Sequence, residues 1–451
     1  MEKSEVDVCV VGAGFAGLAA ARKLVAAGRE AVVLEARDRV GGRVWNREMS
    51  DGTIVSAGGT WLGQRQDRMF AICNELGVTT YPQFEDGDVV LDVDGAQYRY
   101  SGLIPKFGLH HVAALGLGLW RLDRMVKRVP VETPWATPGG AKLDATSLAD
   151  WVTSPLNVPS KRAQALLLAG MSTFFCCDPS EVSLLGSMVL AAGGGSFQYY
   201  ADTTKTETHL IEGGPPGVAD RLAGALGERV QLNRPVRKIR QTDEGIEIVA
   251  DGATVSARRG IVATPPVVAA KIEFDPALPP VHAHLLQRYV PGSVIKTIAS
   301  YVEPFWRSDG LTGETVAPGS PIPISIDQSP LGASPGVLTS FAGGANALEL
   351  SGLAPERRRE IWLNELAKRL GPKALAPSAY LETNWSAEQW SFGGMIGHLP
   401  PGVLTNYGHA IRSPVGNVHW AGTERATLMH GLIEGAVRSG ERTADEVLQT
   451  L

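Results

Sequence analysis

Residues 6–17, V-D-V-C-V-V-G-A-G-F-A-G, decide the fold of this chain. The apolar, β-branched start predicts a strand of a buried parallel sheet, and the alanine-rich residues 18–27 predict the helix that follows it. Gly12 permits the tight turn, Gly14 lets the backbone approach a pyrophosphate, and Gly17 lets the helix pack close to the strand. The helix N-terminus then faces the phosphate charge, so the segment is predicted to bind a dinucleotide.

The residues that follow narrow the choice of dinucleotide. A second predicted strand at 31–34 ends at Glu35, whose carboxylate can accept hydrogen bonds from ribose hydroxyls and would repel a 2′-phosphate. Residues 36–43 read A-R-D-R-V-G-G-R, in which two arginines bracket the pair Gly41 and Gly42. This arrangement places positive charge and bare backbone beside a diphosphate.

Length and composition bound the class of protein. The 451 residues exceed one ordinary core, which predicts two intertwined domains, and 44% hydrophobic with 20% charged residues indicates a globular chain. The net charge of -5 argues against a nucleic-acid partner, and four cysteines do not make a disulfide framework. The longest apolar stretch, residues 112–120, is too short to span a membrane. With no targeting segment visible, we expect a cytoplasmic protein with no membrane partner.

The string L-E-A-R-D-R-V-G-G-R at 34–43 resembles the FAD signature of the flavin-containing amine oxidase family, specifically its monoamine oxidase branch. The resemblance recurs along nearly the whole chain. It implies an α/β fold in which a Rossmann-like FAD-binding domain is interleaved with an α+β substrate-binding domain. The implied segments are 1–80, 210–272 and 393–451 for the FAD-binding domain, and 81–209 and 273–392 for the substrate domain.

The resemblance also implies which residues hold the cofactor. A second glycine pair at 58–59 would run past the flavin ring, where side chains would clash. A strand, a glycine turn and a helix near the C-terminus would aim a second helix N-terminus at the flavin. The predicted FAD-binding residues are Gly12, Gly14, Gly17, Glu35, Arg37, Gly41, Gly42, Arg43, Gly58, Gly59, Thr60, Val236, Trp385, Gly422, Thr423, Glu424 and Ile433.

Three residues are predicted to be catalytic. Lys296 lies in an apolar strand, where a lysine is costly to bury without a role. The matching lysine of the family bonds through water to flavin N5 and is thought to help oxygen react with reduced flavin. Trp385 matches a tryptophan that lies against the flavin, and His430 is next to a position of the family's substrate cage. No metal site is predicted.

Departures from the family pattern bear on the cofactor link and the substrate. Met395 stands where covalent members carry the cysteine that bonds flavin, so the FAD is predicted to be noncovalent. The two aromatic residues of the amine cage are missing, because Ile396 and Leu432 stand at or beside their positions. The predicted substrate-binding set is Phe175, Tyr199, Tyr200, Ile324, Phe341, Ile396 and Leu432.

Other polar residues near the predicted site keep more than one interpretation. Glu207 and His209 would meet a polar group, and Arg425 would either neutralise a phosphate or attract a substrate carboxylate. Asp86-Gly87 and Asp94-Gly95 predict two hairpin turns within residues 84–100.

The leading hypothesis is an FAD-dependent oxidase that removes a hydride from a small, largely apolar amine, giving an imine and hydrogen peroxide. The partners would be a small-molecule substrate, molecular oxygen and a second copy of the chain. The alternative is a desaturase that acts on an alicyclic ketone or its carboxylated form, with His430 or Tyr200 as the base. A third hypothesis is a flavoprotein scaffold or binding module that binds the cofactor but catalyses no reaction. A NAD-linked dehydrogenase is excluded, because the chain has one nucleotide fingerprint and its second half fits FAD.

Overall fold

A computed structural model describes residues 2–102 and 108–451. Its strands are Glu2–Val11 (β1), Ala31–Leu34 (β2), Asn46–Glu48 (β3), Ile54–Ser56 (β4), Thr80–Pro82 (β5), Asp88–Val93 (β6), Ala96–Tyr100 (β7), His209–Ile211 (β8), Val230–Gln231 (β9), Val236–Gln241 (β10), Ile246–Ala250 (β11), Ala253–Val262 (β12), Glu273–Asp275 (β13), Val290–Pro291 (β14), Val294–Tyr301 (β15), Leu311–Val316 (β16), Ile324–Asp327 (β17), Gly336–Gly343 (β18), Ala379–Asn384 (β19), Gly397–His398 (β20) and Val418–Trp420 (β21).

The α-helices are Phe15–Ala26 (α1), Asp67–Glu75 (α2), Leu109–Val126 (α3), Gly140–Ala145 (α4), Leu148–Thr153 (α5), Lys161–Phe175 (α6), Leu184–Gly194 (α7), Phe197–Tyr200 (α8), Thr203–Thr206 (α9), Gly214–Leu226 (α10), Pro266–Ala269 (α11), Pro280–Arg288 (α12), Phe305–Ser308 (α13), Ala345–Ser351 (α14), Pro355–Leu370 (α15), Val403–Tyr407 (α16) and Ile433–Leu448 (α17).

The first sheet contains the predicted dinucleotide motif. Its order is β13-β10-β11-β12-β1-β2-β9, and β21 also pairs with β12. Strand β1 is parallel to β2 and β12, and β12 is parallel to β21. The carboxyl ends of these parallel strands meet at one edge, where α/β sheets place their ligands. The prediction of a Rossmann-like domain is confirmed.

A second sheet has the order β19-β15-β18-β17-β16-β6-β7. Strand β15 is buried along its whole length between the antiparallel strands β18 and β19. The pairing of β16 with β6 is parallel and joins segments more than 200 residues apart. Helices α3, α5, α6, α7 and α8 form a separate apolar cluster beside this sheet. This half is the interleaved α+β part; its exact segment boundaries stay a prediction.

Helices α1 and α17 pack directly against each other under the first sheet. A Cβ on Gly440 would lie 2.1 Å from the carbonyl oxygen of Ala16, so only glycine allows the two helices to approach this closely. A Cβ on Gly17 would lie 1.9 Å from the carbonyl oxygen of Gly12. Gly17 therefore has the close-packing role predicted for it.

One of the two predicted hairpin turns differs from the structure. Asp94-Gly95 does form the hairpin between β6 and β7, but Asp86-Gly87 forms none. Gly87 instead leads directly into β6, and this segment lies beside Gly310. The amide of Asp88 donates to the carbonyl of Gly310 at 2.9 Å. The long-range parallel pairing with β16 thus replaces a local turn. No helix of the described residues is long and apolar enough to cross a membrane.

Candidate active site

A large cavity of about 1090 Å³ lies between the carboxyl edge of the first sheet and the face of the second. Both parts of the fold contribute to its wall, as the interleaved arrangement requires. The predicted site residues that line it are Gly12, Gly14, Glu35, Arg37, Gly41, Gly42, Arg43, Gly58, Gly59, Thr60, Phe175, Tyr200, Val236, Lys296, Ile324, Phe341, Trp385, Gly422, Thr423, Glu424, Leu432 and Ile433.

At one end of the cavity, two glycine turns lie side by side with no side chains between them. The amide of Gly41 donates to the carbonyl of Ala13 at 2.9 Å. A Cβ on Gly42 would lie 3.4 Å from the Cα of Gly14, and nothing lies within 4 Å of a Cβ built on Gly14. Helix α1 begins there without a side-chain cap, so its free N–H groups face the cavity. This bare backbone suits a pyrophosphate.

Glu35 holds the first turn as well as facing the cavity. Its Oε2 accepts from the amide of Ala13 at 2.7 Å, and its Oε1 accepts from the amide of Arg37 at 3.0 Å. The carboxylate is fixed at the end of β2, at the place where an acid can meet a ribose.

Two buried polar groups in this half of the cavity have no hydrogen-bond partner within residues 2–102 and 108–451. They are Nε of Arg234 and Oγ1 of Thr264. An unpaired buried donor is costly, so each group fits a polar ligand that completes its bonding. Together with the glycine turns, these atoms show that the residues present fit a dinucleotide cofactor.

The loop at Gly58 and Gly59 forms the next part of the wall. A Cβ on Gly58 would lie 2.2 Å from the carbonyl oxygen of Arg43 and 3.0 Å from Cζ2 of Trp385. Trp385 is buried, and its indole Nε1 donates to the carbonyl of Ala57 at 3.0 Å. The tryptophan is thus fastened to the same loop, and the loop has no room for a side chain.

Lys296 reaches this loop from β15 and is 2% exposed. Its Nζ donates to the carbonyl oxygens of Ser56 (2.7 Å) and Gly58 (2.9 Å) and to Oγ1 of Thr60 (2.7 Å). Burial lowers the pKa of Lys296 to about 7, against the opposing effect of the Glu207 carboxylate. Lys296 is therefore a buried amine, fixed in the cavity wall, whose charged and neutral forms are both present near neutral pH.

The arginines of the 36–43 segment are already paired. Arg43 forms a bidentate ion pair with Glu424, at 2.5 Å and 3.0 Å. Burial opposes ionisation of Glu424, but Arg43 more than compensates and holds the pKa of that carboxyl below its usual range. Arg37 donates to Glu388 at 3.1 Å. Arg39 donates to the backbone carbonyls of Gly42 and Val44 in its own loop, and it therefore braces the glycine turn.

Four predicted site residues lie outside the described wall of the cavity. Gly17 packs in the turn beneath it. Tyr199 points away and donates its hydroxyl to the carbonyl of Gln64 at 2.5 Å. Ile396, immediately before β20, packs on Gly431 within the helical core. His430 is partly buried nearby, and burial lowers its pKa to about 4. The substrate-wall assignments of Tyr199 and Ile396 are corrected accordingly.

Sequence reasoning missed several wall residues. Trp61 is one of them: its ring centroid lies 6.3 Å from that of Phe341, which was predicted, and Nζ of Lys296 lies 5.3 Å and 5.5 Å from the two centroids. Trp61 directly follows the quoted glycine loop, which was a usable signal. Glu85 and Glu314 also line the cavity. Their positions depend on the long-range pairing of β6 with β16, which no short motif encodes.

The fold and the glycine-floored cavity define a flavoprotein oxidoreductase. The family model for flavin-containing amine oxidoreductases matches residues 15–448, and the chain belongs to that family. It is therefore an FAD-dependent enzyme, as predicted.

Individual relatives agree with this assignment. A flavin-containing amine oxidase of Oncorhynchus mykiss is 36% identical over 449 residues, which cover 98% of this chain and 85% of the relative. A solved putrescine oxidase bound to putrescine has a TM-score of 0.96 at 32% identity and covers 99% of this chain and 100% of its own. Cyclohexylamine oxidase from Brevibacterium oxydans IH-35A has a TM-score of 0.94 at 31% identity, with 99% of each chain covered.

Proposed function

We propose that this enzyme oxidises a primary amine, apolar around its reacting carbon, to an imine that water hydrolyses to a carbonyl compound and ammonia. The amine loses two electrons and two protons, and molecular oxygen takes them up as hydrogen peroxide. The observation that supports the proposal is the buried Lys296 fixed on the Gly58 loop beside Trp61 and Phe341.

The residues of the cavity divide the tasks of this reaction. When bound, FAD supplies the acceptor for the hydride of the C–H bond next to nitrogen. The loop at Gly58 and Gly59, together with Trp385, would hold the flavin ring, and the glycine turns would hold the diphosphate. Lys296 keeps a cation available near the flavin, which would favour electron transfer to oxygen.

The apolar wall serves the substrate. Trp61, Phe341, Phe175, Ile324 and Leu432 exclude water from the slot. Desolvation favours the neutral form of an amine, whose nitrogen lone pair is needed to stabilise the developing imine. Met395 also lines the cavity, and a thioether cannot form the cysteinyl link, so we propose that the FAD is held noncovalently.

The alternative desaturase hypothesis retains one supporting observation, since Leu432 offers no aromatic face to an amine. The structure weakens its carboxylated form, because Glu85, Glu207 and Glu314 all line the cavity and would repel an anion. His430, one proposed base, lies outside the described lining. Tyr200 does line the cavity, but burial raises the pKa of its hydroxyl far above the usual range, which makes it a poor base at neutral pH.

The test mixes the yellow holoenzyme anaerobically with cyclic and linear amines, and in parallel with cyclic ketones and their carboxylates. We expect the flavin absorbance to bleach with amines alone, and hydrogen peroxide to form once air is admitted. Bleaching by ketones but not by amines would overturn the proposal. Light scattering on the same preparation tests the expected homodimer.

A further inference from the structure

Acidic side chains line the cavity away from the flavin-facing glycine loop, and one of them, Asp327, is paired with Arg307. We call Glu85, Asp202, Glu207 and Glu314 the acidic pole. Glu314 lies on β16 between Thr312 and Val316, and all three line the cavity because alternate residues of a strand share a face. Glu207 ends helix α9, Asp202 begins it, and Glu85 precedes β6. Distant segments of chain therefore converge on one acidic patch.

The members of the acidic pole differ in how well they are paired. Asp202 is neutralised, because its carboxylate bonds to Lys205 at 2.9 Å. Glu314 accepts only weak bonds, at 3.1 and 3.3 Å, from the hydroxyl of Thr203. Oε2 of Glu207 is buried and has no hydrogen-bond partner within the described parts of the chain. An unpaired buried carboxylate oxygen facing a cavity indicates that a donor is still to come from a ligand.

The pKa values of these carboxyl groups also indicate that a cationic partner is missing. Burial, with Glu314 adding to it, raises the pKa of Glu207 to about 8, and burial raises the pKa of Glu314 to about 7. Burial and Asp202 raise the pKa of Glu85 as well. Lys296 eases the charge on Glu207 only in part, because its three hydrogen bonds hold it on the Gly58 loop. Within residues 2–102 and 108–451, Lys205 pairs with Asp202, but no cation forms an ion pair with Glu85, Glu207 or Glu314.

We propose that the acidic pole binds a second cationic group of the substrate, so that the preferred substrates are diamines or longer polyamines with an apolar spacer. One amino group would lie in the apolar slot beside Trp61 and Phe341, and the other, protonated, would donate to Glu207 and Glu314. The inference rests on the proposed amine oxidation and adds the class of amine. No step of the reaction changes.

The test compares α,ω-diaminoalkanes with 1-aminoalkanes of the same carbon number on the holoenzyme. We expect kcat/KM to be at least about tenfold higher for the diamine, the value of one good charge-assisted hydrogen bond. The variants E314Q and E207Q replace a carboxyl group that can ionise beside a bound ammonium by a neutral amide of nearly the same shape, and each is expected to reduce the diamine-to-monoamine ratio by about tenfold. The matched control E349Q changes an exposed glutamate on α14 and is expected to leave the ratio unchanged.

The outcomes separate the two proposals. Equal kcat/KM for the two series, or a ratio that neither E314Q nor E207Q changes, overturns the acidic pole while amine oxidation stands. If no amine bleaches the flavin, amine oxidation fails, and the shift in melting temperature caused by diaminoalkane binding becomes the readout. A shift no larger than that caused by the monoamine then overturns the acidic pole too. Retained flavin absorbance confirms that each variant is folded.

Discussion

The two ends of the cavity are built in opposite ways. The dinucleotide end is made of backbone: glycine turns, a helix N-terminus and a loop at Gly58 where a Cβ would lie 2.2 Å from a carbonyl oxygen. The substrate end is made of side chains, apolar beside Lys296 and acidic at Glu207 and Glu314. The first end accommodates its ligand because side chains are excluded there, and the second end selects its substrate by charge and shape. We therefore expect a substitution at the dinucleotide end to abolish cofactor binding, and a substitution at the substrate end to change activity by degrees.

The largest effect is expected at the Gly58 loop. Gly58→Ala forces a Cβ against the carbonyl of Arg43 and the ring of Trp385, so the loop must shift and the flavin site is lost. We expect affinity for FAD to fall at least about 100-fold, the value of roughly 3 kcal/mol of strain. The ratio of flavin absorbance to protein absorbance after purification measures it. Gly217→Ala, in open space on α10, is the control and should retain the flavin.

Lys296→Met comes next, because it removes the buried cation while keeping the length of the side chain. We expect reoxidation of reduced flavin by oxygen to slow by roughly 10- to 100-fold, with amine reduction less affected. Burial lowers the pKa of Lys296 to about 7, so the charged form is present below that pH and is lost above it. Oxygen reactivity of the native enzyme should therefore fall as pH rises through about 7.

Stopped-flow mixing of the reduced enzyme with oxygen measures that pH profile. In Lys296→Met the profile should be flat through the same range. The exposed Lys127→Met serves as the control and should keep the native profile. An unchanged pH step in Lys296→Met would assign the titration to another group.

Glu424→Gln tests the ion pair that joins the dinucleotide end to the C-terminal segment. Removing one charge leaves Arg43 unpaired beside a buried site, which costs about 3 kcal/mol of unfolding free energy. The folded-state pKa of Glu424 is depressed, so its contribution is present above the unfolded pKa and is lost as pH falls below about 4. Urea unfolding at pH 7 and at pH 3.5 should show a variant deficit that shrinks in acid. A deficit equal at both pH values would contradict this.

The smallest effect is expected at the apolar slot. Leu432→Tyr places an aromatic face where this chain has none, at a residue that lines the cavity. An aromatic pair between this ring and the ring of the substrate is worth about 0.5–1 kcal/mol, so KM for an arylalkylamine should fall about two- to fivefold. Leu428→Tyr, at a position 41% exposed, is the control and should leave KM unchanged. A rise in KM would show that Leu432 sets the shape of the slot.

The same contrast explains what the sequence could reveal. The structure brings the predicted glycine turns and Glu35 together at one end of the cavity, because the motif at 6–17 is contiguous and each glycine has one steric reason to be there. Lys296 was predicted because a lysine in an apolar strand is conspicuous, and its side chain is buried in the cavity wall. The substrate end was found only in part, since Glu85 and Glu314 are brought together by strands far apart in the chain.

The errors have a common physical cause. Tyr199 and Ile396 were assigned to the wall from chain position alone, and their direction is set by tertiary contacts, to the carbonyl of Gln64 and to Gly431. The turn expected at Asp86-Gly87 gave way to a parallel pairing for the same reason. A side chain's direction follows from the neighbours it packs against, and those neighbours are not local.

The contact between Gly440 and Ala16 has a consequence for biosynthesis. Helix α17 starts at Ile433, beside the Gly58 and Gly59 loop. Further along, at Gly440, it packs against α1, the helix that follows the pyrophosphate turn. During translation the glycine turn emerges first, but the helix that fastens it emerges more than 400 residues later. We therefore expect the cofactor cleft to be completed, and FAD to bind stably, only after residue 440 has left the ribosome.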